Sequence, residues 1–136
     1  MTDNLVSGEG KAGFDPDVLG RLQATAEVVL RVTRPDGATS SRPIWVVVEG
    51  GAPYIRAVSG PSGVWYRLIQ QGAAGTLLLP GLEVPFDTEY VDDPQTRERI
   101  SQAYREKYEA RWPGPTQSML TETTASATLR LRPRAA

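Results

Sequence analysis

The stretch from residue 56 to residue 67 carries the side chains best suited to bind a ligand. It reads Arg-Ala-Val-Ser-Gly-Pro-Ser-Gly-Val-Trp-Tyr-Arg, so a strand end leads through a Gly- and Ser-rich loop into a helix start. Backbone N–H groups and hydroxyls in such a loop suit a phosphate or another anion, and arginines can add bidentate charge. Aromatic side chains nearby could stack on a planar ring. The predicted binding residues are Arg42, Trp45, Arg56, Ser59, Gly60, Ser62, Gly63, Trp65, Tyr66 and Arg67.

The same pattern has a purely structural interpretation of equal weight. Polar loops that connect a strand to a helix are common, and a helix cap needs the same residue types. Tryptophans and tyrosines near such a loop often belong to the core. The sequence therefore leaves a binding loop and a structural connection as alternatives.

The chain has no cysteine and no histidine. This excludes disulfides, thiolate nucleophiles and Cys-bound metal, and it removes the commonest general base and transition-metal ligand. If the protein is an enzyme, we therefore expect a bound cofactor to supply the reactive atom. We expect no metal.

Length and charge describe an ordinary globular chain. It has 136 residues, 40% hydrophobic and 23% charged, which corresponds to about one domain. Its formal net charge is −1, whereas nucleic-acid binders usually show a strong basic excess. The first residues lack the basic and apolar regions of a secretory signal, and no apolar run is long enough to span a membrane. We therefore expect a cytoplasmic protein that binds neither nucleic acid nor membrane.

Three further motifs have weaker functional interpretations. Residues 8–13 match G-x-G-x-x-G, but no strand precedes them, so a flexible tail over residues 1–13 is the better prediction. The acids Glu83, Asp87 and Glu89 alternate with apolar residues, which is typical of the solvated face of a strand. Tyr104 and Tyr108 lie four residues apart and could line a pocket, although packing of a helix onto the sheet is favoured.

The periodicity predicts the elements that must position these residues. Helices are predicted from Pro16, over residues 64–71 and over residues 94–111, with a short helix or turn over 116–121. Strands are predicted over residues 27–33, 39–49, 53–58, 75–79, 82–91 and 125–132. Regular alternation of strands and helices is absent, so a doubly wound parallel sheet is disfavoured. The prediction is a mainly β protein over residues 14–134, an antiparallel barrel of about six strands with flanking helices.

Several ordered motifs resemble the domain-of-unknown-function 2255 family. They are Arg-Pro-Ile-Trp-Val at 42–46, Ser-Gly-Pro-Ser-Gly-Val-Trp-Tyr-Arg at 59–67, Ile-x-x-Ala-Tyr-x-x-Lys-Tyr at 100–108 and Ala-Thr-Leu-Arg-Leu-x-Pro-Arg at 127–134. That family is similar to the flavin- and deazaflavin-binding split β-barrels, which include pyridoxamine-phosphate-oxidase-like proteins and deazaflavin-dependent nitroreductases. The resemblance implies an FMN-binding-like split barrel, usually a homodimer with cofactor sites near the subunit interface.

The resemblance also implies roles for individual residues. The phosphate of FMN or a deazaflavin would lie against Arg56, Ser59, Gly60, Ser62, Gly63, Trp65 and Arg67. Its ring would lie against Arg42 and Trp45. The loop lacks the lysine that relatives often carry there.

Two functions from different classes follow. The first is a small oxidoreductase in which the protein positions a flavin or deazaflavin, and hydride passes from the ring to a small substrate. The alternative is a binding or structural module that kept the barrel and lost the cofactor. A cofactor-free enzyme using Tyr104 or a carboxylate has the least support.

Overall fold

The computed structural model describes residues 13–134. The predicted tail, residues 1–13, lies outside the described residues except for Gly13, and so does most of the G-x-G-x-x-G match. In the part of the chain that is described, no helix is long and apolar enough to cross a membrane.

Seven strands and five α-helices form the molecule over residues 13–134. The strands are β1 (Val28–Thr33), β2 (Thr39–Ile44), β3 (Val46–Glu49), β4 (Ala52–Arg56), β5 (Ala74–Leu79), β6 (Leu82–Tyr90) and β7 (Thr128–Pro133). The helices are α1 (Pro16–Ala24), α2 (Val64–Gln70), α3 (Pro94–Tyr108), α4 (Pro113–Ser118) and α5 (Glu122–Ala125), and a 3-10 turn spans Gly60–Ser62.

All the strands join one antiparallel sheet in the order β2-β1-β5-β6-β7-β4-β3. β2 and β3 are therefore at the two ends of the order, although only Trp45 separates them in the chain. At this bend Ile44 pairs with Val28 of β1, while Val46 pairs with Ile55 of β4. The sheet thus curls so that one bent stretch of chain serves both of its ends, which is the geometry of a split barrel.

The predicted fold class is confirmed, with one difference in strand number. The sequence predicted a single strand over residues 39–49, because residues 44–48 are continuously apolar. The structure breaks it at Trp45, which gives seven strands instead of about six. The break follows from closure, since one straight strand cannot pair with both β1 and β4.

Local sequence explains the other boundaries. The Asp93 carboxylate accepts the backbone N–H of Thr96 at 2.9 Å, so it caps α3 as its sequence position predicts. In the hairpin between β1 and β2, the Asp36 carboxylate accepts the N–H of Ala38 at 2.9 Å, and Gly37 has φ of 92°. The last strand begins at Thr128 and not at residue 125, because Ala125 ends α5, and the helix predicted over residues 116–121 lies three residues earlier, at Pro113–Ser118.

Two apolar clusters fill the fold. One lies inside the barrel and includes Leu30, Leu77, Phe86 and Leu129. The other lies between α3 and the outer face of β3 and β4, and it contains the predicted helix face. The members of that face are Ile100, Ala103, Tyr104 and Tyr108, all buried.

The acidic strand face is solvated, as predicted. Asp87 is opposite Arg132 and Glu89 is opposite Arg130 in the register of β6 and β7. Glu83 forms an ion pair with Arg31 at 3.2 Å. Within residues 13–134, no group of three or more acidic side chains is arranged to hold a metal ion.

Candidate functional site

One cleft of about 720 Å³, called here the main cleft, opens where the bend at Trp45 meets the loop after β4. Its volume lies within the usual range for ligand pockets, roughly 300–1,000 Å³. Six of the ten predicted binding residues line it: Arg42, Trp45, Arg56, Ser59, Gly63 and Trp65. The other four, Gly60, Ser62, Tyr66 and Arg67, are not part of its lining.

The Trp45 indole forms one wall of the cleft and is supported from behind. Its ring stacks on Tyr108 with the centroids 3.9 Å apart and the planes 3° from parallel. Trp112 packs against the same pair at 5.9 Å from Trp45. The indole is half-buried, so a planar ligand could cover the part that remains open.

Trp65 contributes a second indole from α2. The residue is 6% exposed and packs edge-on against Tyr66, which itself belongs to the core inside the barrel. Within residues 13–134, the Trp65 indole N–H donates to no protein acceptor. A buried tryptophan N–H usually has a hydrogen-bond partner, so this donor is available to a ligand that carries an acceptor.

The loop between β4 and α2 packs against α5, which lies near the C-terminal end of the described residues. The Thr124 hydroxyl bridges the carbonyl oxygens of Val58, at 3.1 Å, and Ser118, at 3.0 Å. Gly60 has φ of 71°, and a Cβ there would lie 2.4 Å from Cγ2 of Thr123. Gly60 therefore serves close packing of the loop on α5, and the loop reaches the cleft through Ser59 and Gly63.

Arg56, which the resemblance placed against a phosphate, is hydrogen-bonded to oxygens of the protein itself. It is 1% exposed, and its guanidinium donates to four protein oxygens. The acceptors are Thr128 Oγ1 (2.9 Å), Ser101 Oγ (2.9 Å), the Met119 carbonyl (3.0 Å) and the Arg97 carbonyl (2.7 Å). These bonds tie β4 and β7 to α3 and to the residue after α4. Burial lowers the pKa of Arg56, which the nearby Tyr104 partly offsets.

Two other predicted binding residues, Ser62 and Arg67, do not line the main cleft. Ser62 is exposed, and its hydroxyl donates to the Ser59 carbonyl at 3.1 Å, which closes the 3-10 turn. Arg67 is exposed on α2 away from the cleft. The structure therefore places Arg56 in the lining of the main cleft and Arg67 outside it, so it does not bring the two arginines together there.

Sequence reasoning missed several lining residues. Glu27 is exposed just before β1 and adds a carboxylate to the cleft, while Pro115, Ser118 and Met119 come from α4 and the residue after it. These segments lie far from the loop in the sequence, and no motif marks them. Long-range hydrogen bonds, from Arg56 to the Met119 carbonyl and from the Thr124 hydroxyl to the Val58 and Ser118 carbonyls, hold the α4 segment beside the loop.

A set of side chains on α3, called here the α3 clamp, lies behind Trp45. It consists of Tyr104, Lys107 and Tyr108. The Lys107 ammonium donates to the Leu22 carbonyl at 2.8 Å and the Val46 carbonyl at 2.6 Å. Desolvation lowers the pKa of Lys107 to about 8. Burial raises the pKa of both tyrosines, so their hydroxyls stay protonated at neutral pH.

Comparisons with known proteins agree with this architecture. A conserved hypothetical protein of Mycobacterium tuberculosis superposes with a TM-score of 0.65 at 13% identity, over 93% of this chain and 83% of the other. A candidate pyridoxamine 5′-phosphate oxidase of Lactobacillus delbrueckii gives 0.56 at 15%, over 90% and 91%. An F420 reductase gives 0.51 at 24%, over 84% and 90%.

These solved structures share the split-barrel fold, and no curated protein matches the chain. A family model for uncharacterized proteins conserved in bacteria, DUF2255, matches residues 18–131. That range includes six of the seven strands in full, β7 as far as residue 131, and every residue lining the main cleft. The chain belongs to the DUF2255 family.

Proposed function

We propose that the main cleft binds the ring of a flavin or deazaflavin cofactor and that the protein is a small oxidoreductase. The observation that carries the proposal is the cleft itself, about 720 Å³ in volume, in which two indoles meet a buried N–H donor that no acceptor among residues 13–134 pairs. Flavin and deazaflavin rings are planar and carry carbonyl acceptors, so they match both features. The family's resemblance to flavin- and deazaflavin-binding split barrels supports the same class of ligand.

In this proposal the protein's residues bind and orient the ring. Trp45, backed by Tyr108, offers a flat surface, and the Trp65 N–H donates to a ring acceptor. The apolar side chains of Ile44, Val58 and Met119 exclude water from the ring. When bound, the cofactor supplies the hydride-transfer chemistry, which the side chains of a chain without Cys or His are poorly suited to perform.

In this proposal, Arg42 binds the negatively charged phosphate of the cofactor. It is exposed on β2 beside the bend, and it lines the cleft without belonging to an ion pair among residues 13–134. Because the Arg56 guanidinium already donates to four protein oxygens, Arg42 is the arginine of the cleft that would bind a phosphate.

We also propose that the protein forms a homodimer, with its cofactor sites near the subunit interface as the resemblance implies. Two exposed apolar side chains flank the loop beside the main cleft: Val58 is 58% exposed and Val64 is 65% exposed. A second copy of the chain seated there would cover both. Sedimentation of the wild type and of Val64→Glu would test this, because only the wild type should sediment as a dimer.

A second candidate is a module that binds a small molecule without a redox cofactor. This candidate is favoured by the hydrogen bonds of Arg56, because the arginine predicted to bind a phosphate donates to four oxygens of the protein itself. In this case the aromatic cleft would accept an uncharged planar ligand.

The experiment that separates the two begins with the absorbance spectrum of the purified protein. Titration with FMN and with a deazaflavin follows, monitored by tryptophan fluorescence. A yellow protein, or saturable quenching at micromolar ligand, is the expected result. Trp65→Phe should then weaken binding by about fivefold, the loss of one hydrogen bond. Tyr66→Phe, on the same helix but outside the cleft, is the matched control. A colourless protein that binds neither compound would overturn the proposal and favour the module.

A further inference from the structure

Strand pairing fixes the residues on either side of the bend at Trp45, and the α3 clamp contacts the bend itself. β2 ends at Ile44 and β3 begins at Val46, so the Trp45 backbone has no strand partner in the register of either neighbour. The bend is instead reached by the three side chains of the clamp. Tyr104 OH lies 3.5 Å from the Trp45 carbonyl, a long contact that is the weakest of the set.

The Val46 carbonyl is the centre of this arrangement. It accepts from Lys107 Nζ at 2.6 Å, and the Tyr108 hydroxyl lies 3.3 Å away. The same hydroxyl has its shorter bond, 2.6 Å, to the Ala26 carbonyl. The clamp therefore connects the bend both to the C-terminal end of α1, through Leu22, and to the residues before β1.

The tyrosine that makes these bonds is also the one that supports the cleft wall. Tyr108 stacks on Trp45 at 3.9 Å, and the Lys107 ammonium lies 5.1 Å from the centroid of the Tyr108 ring. A shift of the Val46 carbonyl would move the residue next to it and change the stack. Lys107 thus touches the backbone on one side of Trp45 and its ring partner on the other.

We infer that Lys107 is a positioning residue of the main cleft, which acts by fixing the Trp45 wall through the Val46 carbonyl and the Tyr108 ring. The inference rests on the proposed function only in its ligand, since the position of Trp45 can be measured without one. Lys107 does not line the cleft, so its effect on binding passes through Trp45.

The chemistry of the side chain supports this role. An apolar residue would fill the same space without the desolvation cost of an ammonium, and α3 already packs through Ile100 and Tyr104. The ammonium adds directional hydrogen bonds to two carbonyls on different elements. Such bonds set the geometry of a bend more closely than apolar contact does.

The test uses Lys107→Met in the full chain, with Ile100→Val as the control for a general loss of core stability. Near-UV circular dichroism of the ligand-free proteins reports the packing of their tryptophans and tyrosines, and comparison with Trp45→Phe identifies the part that comes from the Trp45–Tyr108 stack. Titration with FMN reports the cleft. We expect Lys107→Met to alter the near-UV spectrum and to weaken FMN binding by about tenfold, with Ile100→Val close to wild type in both.

A double-mutant cycle with Trp45→Phe then identifies the route. If Lys107 acts through Trp45, adding Lys107→Met to Trp45→Phe should weaken FMN binding by less than about threefold. If the double variant loses FMN affinity by the full product of the two single losses, the inference is overturned. An unchanged near-UV spectrum in Lys107→Met would also overturn it.

Two other outcomes, a wild type that does not bind FMN and a variant that does not fold, can be told apart from a failure of the inference. If wild-type protein does not bind FMN, the ligand assignment fails, while the near-UV comparison still decides the role of Lys107. If Lys107→Met does not fold, Lys107→Gln replaces it, because its shorter side chain keeps a polar group at the site without the ammonium that donates to both the Leu22 and the Val46 carbonyls. The same spectral change and weaker binding are expected for it, and wild-type behaviour would overturn the inference.

Discussion

Arg56 and Thr128 are joined both through their strands and through their side chains. They are register partners of β4 and β7, and Arg56 Nε donates to Thr128 Oγ1 at 2.9 Å. The pairing places a cation inside the protein, with hydroxyls and carbonyls as its hydrogen-bond acceptors. The arginine that the sequence assigned to a ligand is therefore part of what holds the barrel to α3.

Replacing Arg56 should cost stability. Arg56→Met would leave the hydroxyls of Ser101 and Thr128 and two carbonyls without their donor in a buried site. We expect the free energy of unfolding to fall by about 3 kcal/mol or more, measured by urea denaturation. Arg67→Met, at an exposed position, should change it by less than about 0.5 kcal/mol. Equal effects of the two variants would contradict the structural role of Arg56.

Gly60 and Gly20 should respond to alanine in opposite directions. Gly60→Ala puts a Cβ against Cγ2 and the carbonyl oxygen of Thr123, at a residue with φ of 71°. We expect it to lower the free energy of unfolding by about 1–3 kcal/mol. Gly20 lies within α1 with nothing within 4 Å of a Cβ, so Gly20→Ala should raise it by about 0.5–1 kcal/mol. Thermal or urea unfolding of the pair measures both.

Lys107 should make stability depend on pH in a defined window. Its folded pKa is lowered to about 8 from 10.5, so between those values the unfolded lysine holds a proton that the folded lysine has lost. The free energy of unfolding therefore rises with pH across this window. Above about pH 10 the raised pKa values of Tyr104 and Tyr108 act in the opposite direction, because only the unfolded tyrosines ionise.

Urea unfolding at several pH values between 7 and 10 measures this effect. Subtracting the profile of Lys107→Met from that of the wild type isolates the lysine, since the tyrosines are common to both. The wild type should gain stability relative to the variant as the pH rises. A flat difference would show that the folded pKa of Lys107 is close to its ordinary value.

Two arginines near the loop should differ in their effect on cofactor binding. Arg42 lines the main cleft, and Arg67 does not. Arg42→Ala should weaken FMN binding by about fivefold or more, the loss of one charge-assisted contact, and the difference should shrink at high salt. Arg67→Ala should bind FMN as the wild type does. Calorimetric titration at two salt concentrations measures both, and a larger loss with Arg67→Ala would place the phosphate on α2.

The fold could be predicted from the sequence because its signals are local. The alternating strand over Val28–Thr33, the Asp93 cap and the tyrosines of α3 each depend on neighbours within a few residues. The fold class followed from these elements and from the family resemblance. The bend at Trp45 could not be predicted, because it is imposed by pairing with two strands that are distant in the sequence.

The candidate site was predictable only in part, and for the same reason. Trp45, Ser59 and Trp65 were found because aromatic and loop residues near a strand end are a recognisable pattern. Arg56 fits that pattern equally well, but its partners Ser101 and Met119 come from segments that no local signal connects to it. Whether a buried arginine binds a ligand or the protein itself depends on those partners.

The strand order has a consequence for biosynthesis. Because β2 and β3 flank one residue and yet occupy opposite ends of the sheet, the emerging chain first makes hairpins that belong to separate halves. These halves meet only through β7, which pairs with β6 on one side and with β4 on the other. Until the ribosome has released Thr128–Pro133, both of those strands keep an unpaired edge. β7, the last of the described strands to be synthesised, therefore covers two strand edges that would otherwise be open to pairing with other chains.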